Sequence, residues 1–237
     1  MKAVRLYGVC DLRQEEIPTP HAGPGEILLR VKATALCGTD VRMYLNGAAG
    51  IDQDHPRVIG HEISGVIEEM GEGVQGYELG QRVCVAPNFS CGVCDSCVSG
   101  NTHLCGSYQA LGINLDGGLA EYVLVPARAV SQGNVADHVS FEEASIVEPL
   151  SCVYNGQEQV GIRPGDKVLV IGAGPIGVMH ALLANMQGAG LVMMNDLSPD
   201  RLRTCREIDP SIVTVEGNLK EQVMERTGGK GLDVCIV

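Results

Sequence analysis

Val168-Leu169-Val170-Ile171-Gly172-Ala173-Gly174-Pro175-Ile176-Gly177 decides how the C-terminal part of the chain is read. Four apolar residues make a strand, the glycines break it, and Pro175 suits the first turn of a helix. In that strand-turn-helix context the spacing of Gly172, Gly174 and Gly177 becomes a nucleotide-binding fingerprint. Gly172 permits the tight turn, Gly174 lets the backbone approach a pyrophosphate at the helix N-terminus, and Gly177 allows the helix to lie close to the sheet. Asp196 ends the next apolar stretch, where a carboxylate can accept both ribose hydroxyls of NAD and repel the additional phosphate of NADP. NAD is therefore the expected cofactor, with Gly172, Gly174, Pro175, Ile176, Gly177, Asp196 and Arg201 around it. In the structural alternative the glycines serve packing alone and Asp196 only caps the helix after it.

Outward from this stretch the chain alternates strand and helix: Val168–Ile171, Ile176–Gln187, Leu191–Asn195, Arg201–Glu207, Ile212–Val215, Lys220–Arg226 and Leu232–Val237. That rhythm predicts a doubly wound parallel sheet with about four strands. In the strand order 3-2-1-4-5-6 the last two strands are missing, so the fold is expected to be C-terminally incomplete, with Leu232–Val237 as an apolar edge strand that invites pairing. Met179, Leu182, Leu183 and Met186 recur at helical spacing and predict the buried face of the first helix. Up to about residue 135, short strands punctuated by Gly and Pro predict a β-rich region, including Leu29–Ala35 and Gly117–Val125. Ser140 with Glu143 forms a capping box, and Pro149 opens another helix with Glu148 at its N-cap. Two domains are expected, 1–155 and 156–237.

The 237 residues are 45% hydrophobic and 19% charged, the balance of a folded globular protein. A formal net charge of −12 excludes a nucleic-acid or anionic-membrane partner as the expected one, because both require Lys and Arg to neutralise phosphate. The N-terminus MKAVRLYGVCDL lacks the apolar core of a signal peptide, so a reducing cytoplasmic setting is expected for the ten cysteines. The apolar run from Val168 to Met194 is too interrupted by Gly, Pro, His, Asn and Gln to span a membrane.

Cys91, Cys94, Cys97 and Cys105 fall within one loop, 91–105, and can close a tetrahedral zinc site that has no open position. Free or oxidised thiols, or a nucleic-acid-binding zinc ribbon, are the alternatives, the latter disfavoured by the acidic balance. A second set is dispersed: Cys37-Gly38-Thr39-Asp40, Gly60-His61-Glu62 and Glu148-Pro149-Leu150-Ser151-Cys152. Each is weak alone, since a lone His or Cys is more often a core residue. Together they supply the thiolate, imidazole and carboxylate of a zinc that keeps one position for water or substrate.

Gly60-His61-Glu62-Ile63-Ser64-Gly65, followed by Gly71 and Val74, resembles the signature of zinc-containing medium-chain alcohol dehydrogenases. The four-cysteine loop and the glycine fingerprint follow in that family's order. Glu148-Pro149-Leu150-Ser151 is similar to the corresponding segment of the sorbitol and threonine dehydrogenase branch. The resemblance implies a GroES-like catalytic domain followed by a partial Rossmann domain, a catalytic and a structural zinc, and NAD. By carry-over Cys37, His61 and Glu62 are catalytic zinc ligands, with Glu148 binding directly or through water and ranked above Cys152. Arg42 stands where the family often has a proton-relaying histidine. Thr39 is then expected to take the substrate hydroxyl's proton and Asp40 to orient His61. The implied reaction oxidises a secondary alcohol of a polyol, diol or amino alcohol to a ketone. A simple alcohol dehydrogenase or a non-catalytic zinc-stabilised protein is the alternative. The full-length protein is expected to be a homo-oligomer acting on a small-molecule alcohol.

Overall fold

The structure is a computed structural model that describes residues 1–237. The chain divides into two units, Met1–Glu148 and Pro149–Val237. The first contains β1 (Lys2–Gly8), β2 (Asp11–Glu16), β3 (Glu26–Ala35), α1 (Gly38–Asn46), β4 (Arg57–Val58), β5 (Glu62–Met70), β6 (Arg82–Cys84), β7 (Asn88–Phe89), α2 (Asp95–Val98), β8 (Gln109–Ala110), β9 (Tyr122–Pro126) and α3 (Phe141–Ser145). Helix α4 (Val147–Val160) runs across the division, and β10 (Lys167–Ile171), α5 (Pro175–Met186), β11 (Leu191–Asn195), α6 (Pro199–Ile208), β12 (Val213–Val215), α7 (Leu219–Arg226) and β13 (Val234–Ile236) follow. The units part at the start of α4, before the 155/156 boundary read from the sequence, because Gln157 of that helix bonds the His180 carbonyl of α5 at 2.7 Å.

In the first unit an antiparallel sheet runs in the order β6-β5-β3-β9. Alternate residues of each strand share a face, so Ile27 and Leu29 of β3 meet Val125 and Val123 of β9 in the core, with Ile63 and Ile67 of β5. The β3–β5 register sets Ala35 opposite Glu62, which brings the chain just beyond β3, at Cys37, to the level of His61 and Glu62. A smaller cluster of Leu6, Met43, Ile51 and Ile59 packs α1 down.

The second unit holds four parallel strands in the order β12-β11-β10-β13, with the first strand of the series central, as the βαβ rhythm predicts. Val168 and Val170 of β10 point into a cluster with Ala181, Ala184, Leu202 and Cys205, whereas Leu169 points to the other side with Met193, Val215 and Val223. Both faces of the sheet are thus covered, which is why its strands are apolar throughout. No helix is long and apolar enough to cross a membrane.

Three local expectations are corrected. The buried face of α5 is not the whole set Met179, Leu182, Leu183 and Met186: Ala181 and Ala184 are the fully buried residues, Leu182 packs half-buried against the same cluster, and Met186 is 84% exposed. The reason is steric, since small side chains let the helix axis approach the sheet. Glu148 is not an N-cap; α4 starts at Val147 and Pro149 lies inside its first turn, where its missing N–H has no intrahelical role. Of the segment Gly117–Val125 only the residues from Tyr122 on join the sheet, as part of β9. Gly117, Gly118 and Leu119 instead give their amides to the carbonyls of Val58, Gly60 and Ile59.

Candidate metal centres and nucleotide site

The four-cysteine loop folds around its own sulfurs. Gly92 adopts φ +78 and Cys94 caps the short helix α2, turning Cys91, Cys94, Cys97 and Cys105 toward one point. Their sulfurs lie within 4.8 Å of one another, with separations of 3.9 Å for Cys91 to Cys97, 3.5 Å for Cys94 to Cys97 and 3.9 Å for Cys94 to Cys105. Four sulfurs about 2.3 Å from a central ion sit at tetrahedral edges of about 3.8 Å, so the set fits zinc. The backbone amides of Val93 and Cys94 hold the Cys91 thiol down to about 6. The Cys97 amide also favours a thiolate at Cys94, but the hydrogen bond with Cys97, burial and the other thiols outweigh it and push Cys94 up to about 11. Cys97 is likewise held down, first by its hydrogen bond with Ser90, so the loop holds two of its thiols toward the thiolate that a zinc ion requires.

The second group is assembled by the fold. Ligand atoms of Cys37, His61 and Glu62 lie within 4.8 Å of one another, Cys37 half-buried and the other two buried. Burial is the first cause that raises the Glu62 carboxyl above its ordinary value; His61 opposes it, and the charges of Glu148 and Asp40 add to it. Asp40, only 2% exposed, accepts hydrogen bonds from the Cys37 amide at 2.9 Å and the Gly60 amide at 3.1 Å. Its Oδ1 also stands 3.8 Å from His61 Nδ1, close enough for an ion pair but not a hydrogen bond, so its direct bonds fix the Cys37 and Gly60 backbone. His61 Nδ1 is buried without a hydrogen-bond partner. A thiol, a buried imidazole and a buried carboxyl with their ligand atoms this close fit a cation of the zinc type.

Thr39 is half-buried on the first turn of α1. Glu148 is half-buried in the first turn of α4; it acts electrostatically on Glu62 but is not one of the three converging donors. Cys152 is exposed on α4, and Arg42 is exposed on α1. The approach to α4 is pinned by Ser64 Oγ donating to the Phe141 carbonyl at 2.5 Å and by Arg82 over the Phe141 ring at 4.3 Å. Neither contact is legible in the sequence.

In the Pro149–Val237 unit Gly172 takes φ +110 and donates its amide to Asn195 O at 2.7 Å. A Cβ on Gly177 would lie 1.8 Å from the Gly172 carbonyl oxygen, so only glycine permits this helix-to-strand approach. A Cβ on Gly174, the N-cap of α5, would meet nothing within 4 Å, which leaves open space before the helix N-terminus. Pro175 and Ile176 form the exposed first turn. Gly172, Asp196 and Arg201 line one cavity of about 660 Å³ together with Ile171, Asn195, Leu197 and Ser198. The last three flank Asp196 and were not singled out from the sequence. The amides of Ser198 and Ala173 hold the Asp196 carboxyl below its ordinary range, at 2.8 and 2.7 Å, and Arg201 stands 3.6 Å away. The open turn, the helix N-terminus and the fixed carboxylate fit a dinucleotide.

The family described as "Alcohol dehydrogenase GroES-like domain" matches residues 23–135. Sorbitol dehydrogenase of Halalkalibacterium halodurans is 38% identical over 235 residues, covering 97% of this chain and 67% of the relative. L-threonine 3-dehydrogenase of Rhizobium etli strain CIAT 652 is 37% identical over 239 residues, covering 99% of this chain and 68% of the relative. The crystal structure of 2R,3R-butanediol dehydrogenase from Bacillus subtilis superposes with a TM-score of 0.86 at 31% identity, over 99% of this chain and 70% of that one. The chain spans about two thirds of the length of the curated relatives it matches. With a GroES-like domain, a Rossmann-type parallel sheet and relatives of this identity along its whole length, the chain belongs to the medium-chain alcohol and polyol dehydrogenase family, in the branch of the sorbitol and threonine dehydrogenases.

Proposed function

We propose that the protein oxidises a secondary alcohol of a polyol, diol or amino alcohol to the ketone, using NAD and a catalytic zinc, with a second, structural zinc in the four-cysteine loop. The observation that carries the reading is the convergence of Cys37, His61 and Glu62, whose ligand atoms lie within 4.8 Å of one another with the imidazole and the carboxyl buried. Cys37, His61 and Glu62 hold the catalytic ion, with Glu148 as the further carboxylate. When bound, zinc supplies Lewis acidity that lowers the pKa of a substrate hydroxyl. Thr39 takes the hydroxyl proton at Oγ and releases its own toward solvent, so the residue ends as it began. Arg42, exposed on α1, does not take that proton, because a guanidinium carries donors and no acceptor. Asp40 keeps the backbone at Cys37 and Gly60 from relaxing as the ligands take up the ion. Gly172 and Gly174 would present the turn to the cofactor's pyrophosphate and Asp196 would accept its ribose hydroxyls; NAD, when bound, would supply the hydride acceptor.

Names of the relatives support the substrate class, since sorbitol, threonine and 2,3-butanediol all carry a secondary hydroxyl beside a second polar group. The deciding experiment screens the full gene product against polyols, vicinal diols, amino alcohols and sugar phosphates with NAD and NADP, alongside elemental analysis. Turnover of a secondary alcohol with NAD and two zinc ions per chain is expected. Absence of zinc after expression in zinc-replete medium overturns the reading.

A further inference from the structure

We propose that Gly112 and Gly117 are positioning residues for the His61–Glu62 ligand pair; this rests on the zinc reading above. Gly60, the residue before His61, takes φ +90 and is held from both sides. Its amide donates to Asp40 Oδ1 at 3.1 Å, and its carbonyl accepts from the Gly118 amide at 2.8 Å. The segment from Gly112 to Leu119 is cast directly over it. The Gly117 and Leu119 amides bond the Val58 and Ile59 carbonyls at 2.7 and 3.0 Å. A Cβ on Gly117 would sit 2.1 Å from the Gly60 oxygen and 2.6 Å from the Gly112 Cα. One on Gly112, which itself takes φ +71, would sit 2.6 Å from the same oxygen and 2.9 Å from the Gly60 nitrogen.

These neighbours are backbone atoms, which cannot swing aside as a side-chain tip can. Restoring an ordinary contact requires a movement on the order of 1 Å, and the atoms that must move are one peptide from a metal ligand. Ligand geometry tolerates only about 0.2 Å in bond length. The stack therefore holds the histidine and glutamate donors in place before any ion arrives. The four-cysteine loop in the same unit draws all its donors from residues 91–105, none of which touches the Gly60 peptide through these glycines, so its ion serves as the internal control.

The test is competitive chelator titration of zinc on Gly112→Ala, Gly117→Ala and Gly133→Ala, the last at a glycine whose Cβ would meet nothing within 4 Å. The two stack variants are expected to weaken the less tightly held zinc by tenfold or more, leave the tighter ion in place and keep the circular dichroism of the parent. Gly133→Ala leaves both ions unchanged. Unchanged affinity at the weaker site in both stack variants overturns the proposal. If the parent binds a single zinc, it is the zinc reading that fails. Should the alanine variants not fold, amide hydrogen exchange on the parent decides. Gly118 and Leu119 stay protected after the weaker zinc is stripped if the stack stands by itself, and exchange like an open loop if it does not.

Discussion

The Met1–Glu148 and Pro149–Val237 units carry their binding groups in opposite ways. The first uses side-chain donors: four sulfurs in one loop, and a thiol, an imidazole and a carboxylate gathered from β3, β5 and the turns beside them. The second uses backbone: a positive-φ turn at Gly172, the N-terminus of α5 and amides that fix Asp196. A side-chain site can be emptied by one substitution while the strands beneath it stand. A backbone site cannot, because the atoms that bind are the atoms that fold. The sharpest way to break this comparison is Cys97→Ser, at a buried sulfur with near neighbours in both Cys91 and Cys94. Losing one of four thiolates should reduce zinc from two ions to one. A structural site of this kind contributes several kcal/mol, so the melting temperature should fall by on the order of 10 °C. Calorimetry with elemental analysis measures both; a variant that keeps two ions and its melting temperature removes the structural role from the loop.

The next largest effect separates Glu148 from Cys152. Glu148 is half-buried and acts electrostatically on Glu62, whereas Cys152 is exposed on α4. Glu148→Ala should lower kcat/KM on the order of 100-fold, and Cys152→Ser should stay within a few-fold of the parent. X-ray absorption sharpens the result by counting sulfurs: five per two zincs are expected from four loop thiols and Cys37. Six would move the site to the two-thiolate type of simple alcohol dehydrogenases.

What could be read from the sequence follows the same division between local and distant. The four-cysteine loop was legible because its ligands lie within one loop, and the glycine fingerprint because strand, turn and helix are contiguous. Cys37, His61 and Glu62 stood in the sequence only as dispersed segments, each weak alone, and the resemblance was needed to name them as ligands, since their meeting depends on the Ala35–Glu62 register across β3 and β5. The Gly60–Gly112–Gly117 contacts were not legible at all; no periodicity announces that two distant backbones touch. Asp40 was expected to orient His61; its Oδ1 stands 3.8 Å from Nδ1, and its hydrogen bonds go to the Cys37 and Gly60 amides, a choice that spacing does not reveal. In α5 the apolar pattern misled because the helix is apolar on most sides, so hydrophobic spacing carries little information about which stripe faces the sheet.

Asp196 gives a smaller, two-part prediction. Asp196→Ala should narrow the preference for NAD over NADP by on the order of tenfold, the effect of about 1.4 kcal/mol, read from kcat/KM for each cofactor. A parent that prefers NADP removes the assigned role. The carboxyl is held below its ordinary value, chiefly by the Ser198 and Ala173 amides. The unfolded chain therefore takes up the proton first as pH falls, so the stabilisation is complete above the unfolded value and is lost as pH drops through the folded one. Asp196→Asn, which has no such charge, should flatten the acid limb of the stability curve without altering its neutral-to-basic limb.

The smallest expected effect tests the corrected face of α5. Had the apolar spacing marked the core, Met186 would be a buried anchor; it is 84% exposed, and Ala181 is fully buried against β10 and β11. Met186→Ser should change unfolding stability by no more than about 0.5 kcal/mol, the range of ordinary surface substitutions. Ala181→Leu adds three carbons where the helix already touches the sheet, and overpacking of that kind costs about 1–3 kcal/mol. Urea unfolding of the two variants in parallel orders them. A loss for Met186→Ser as large as that for Ala181→Leu would mean that Met186 is covered in the protein in solution, and that the small-residue stripe is not what seats this helix on its sheet.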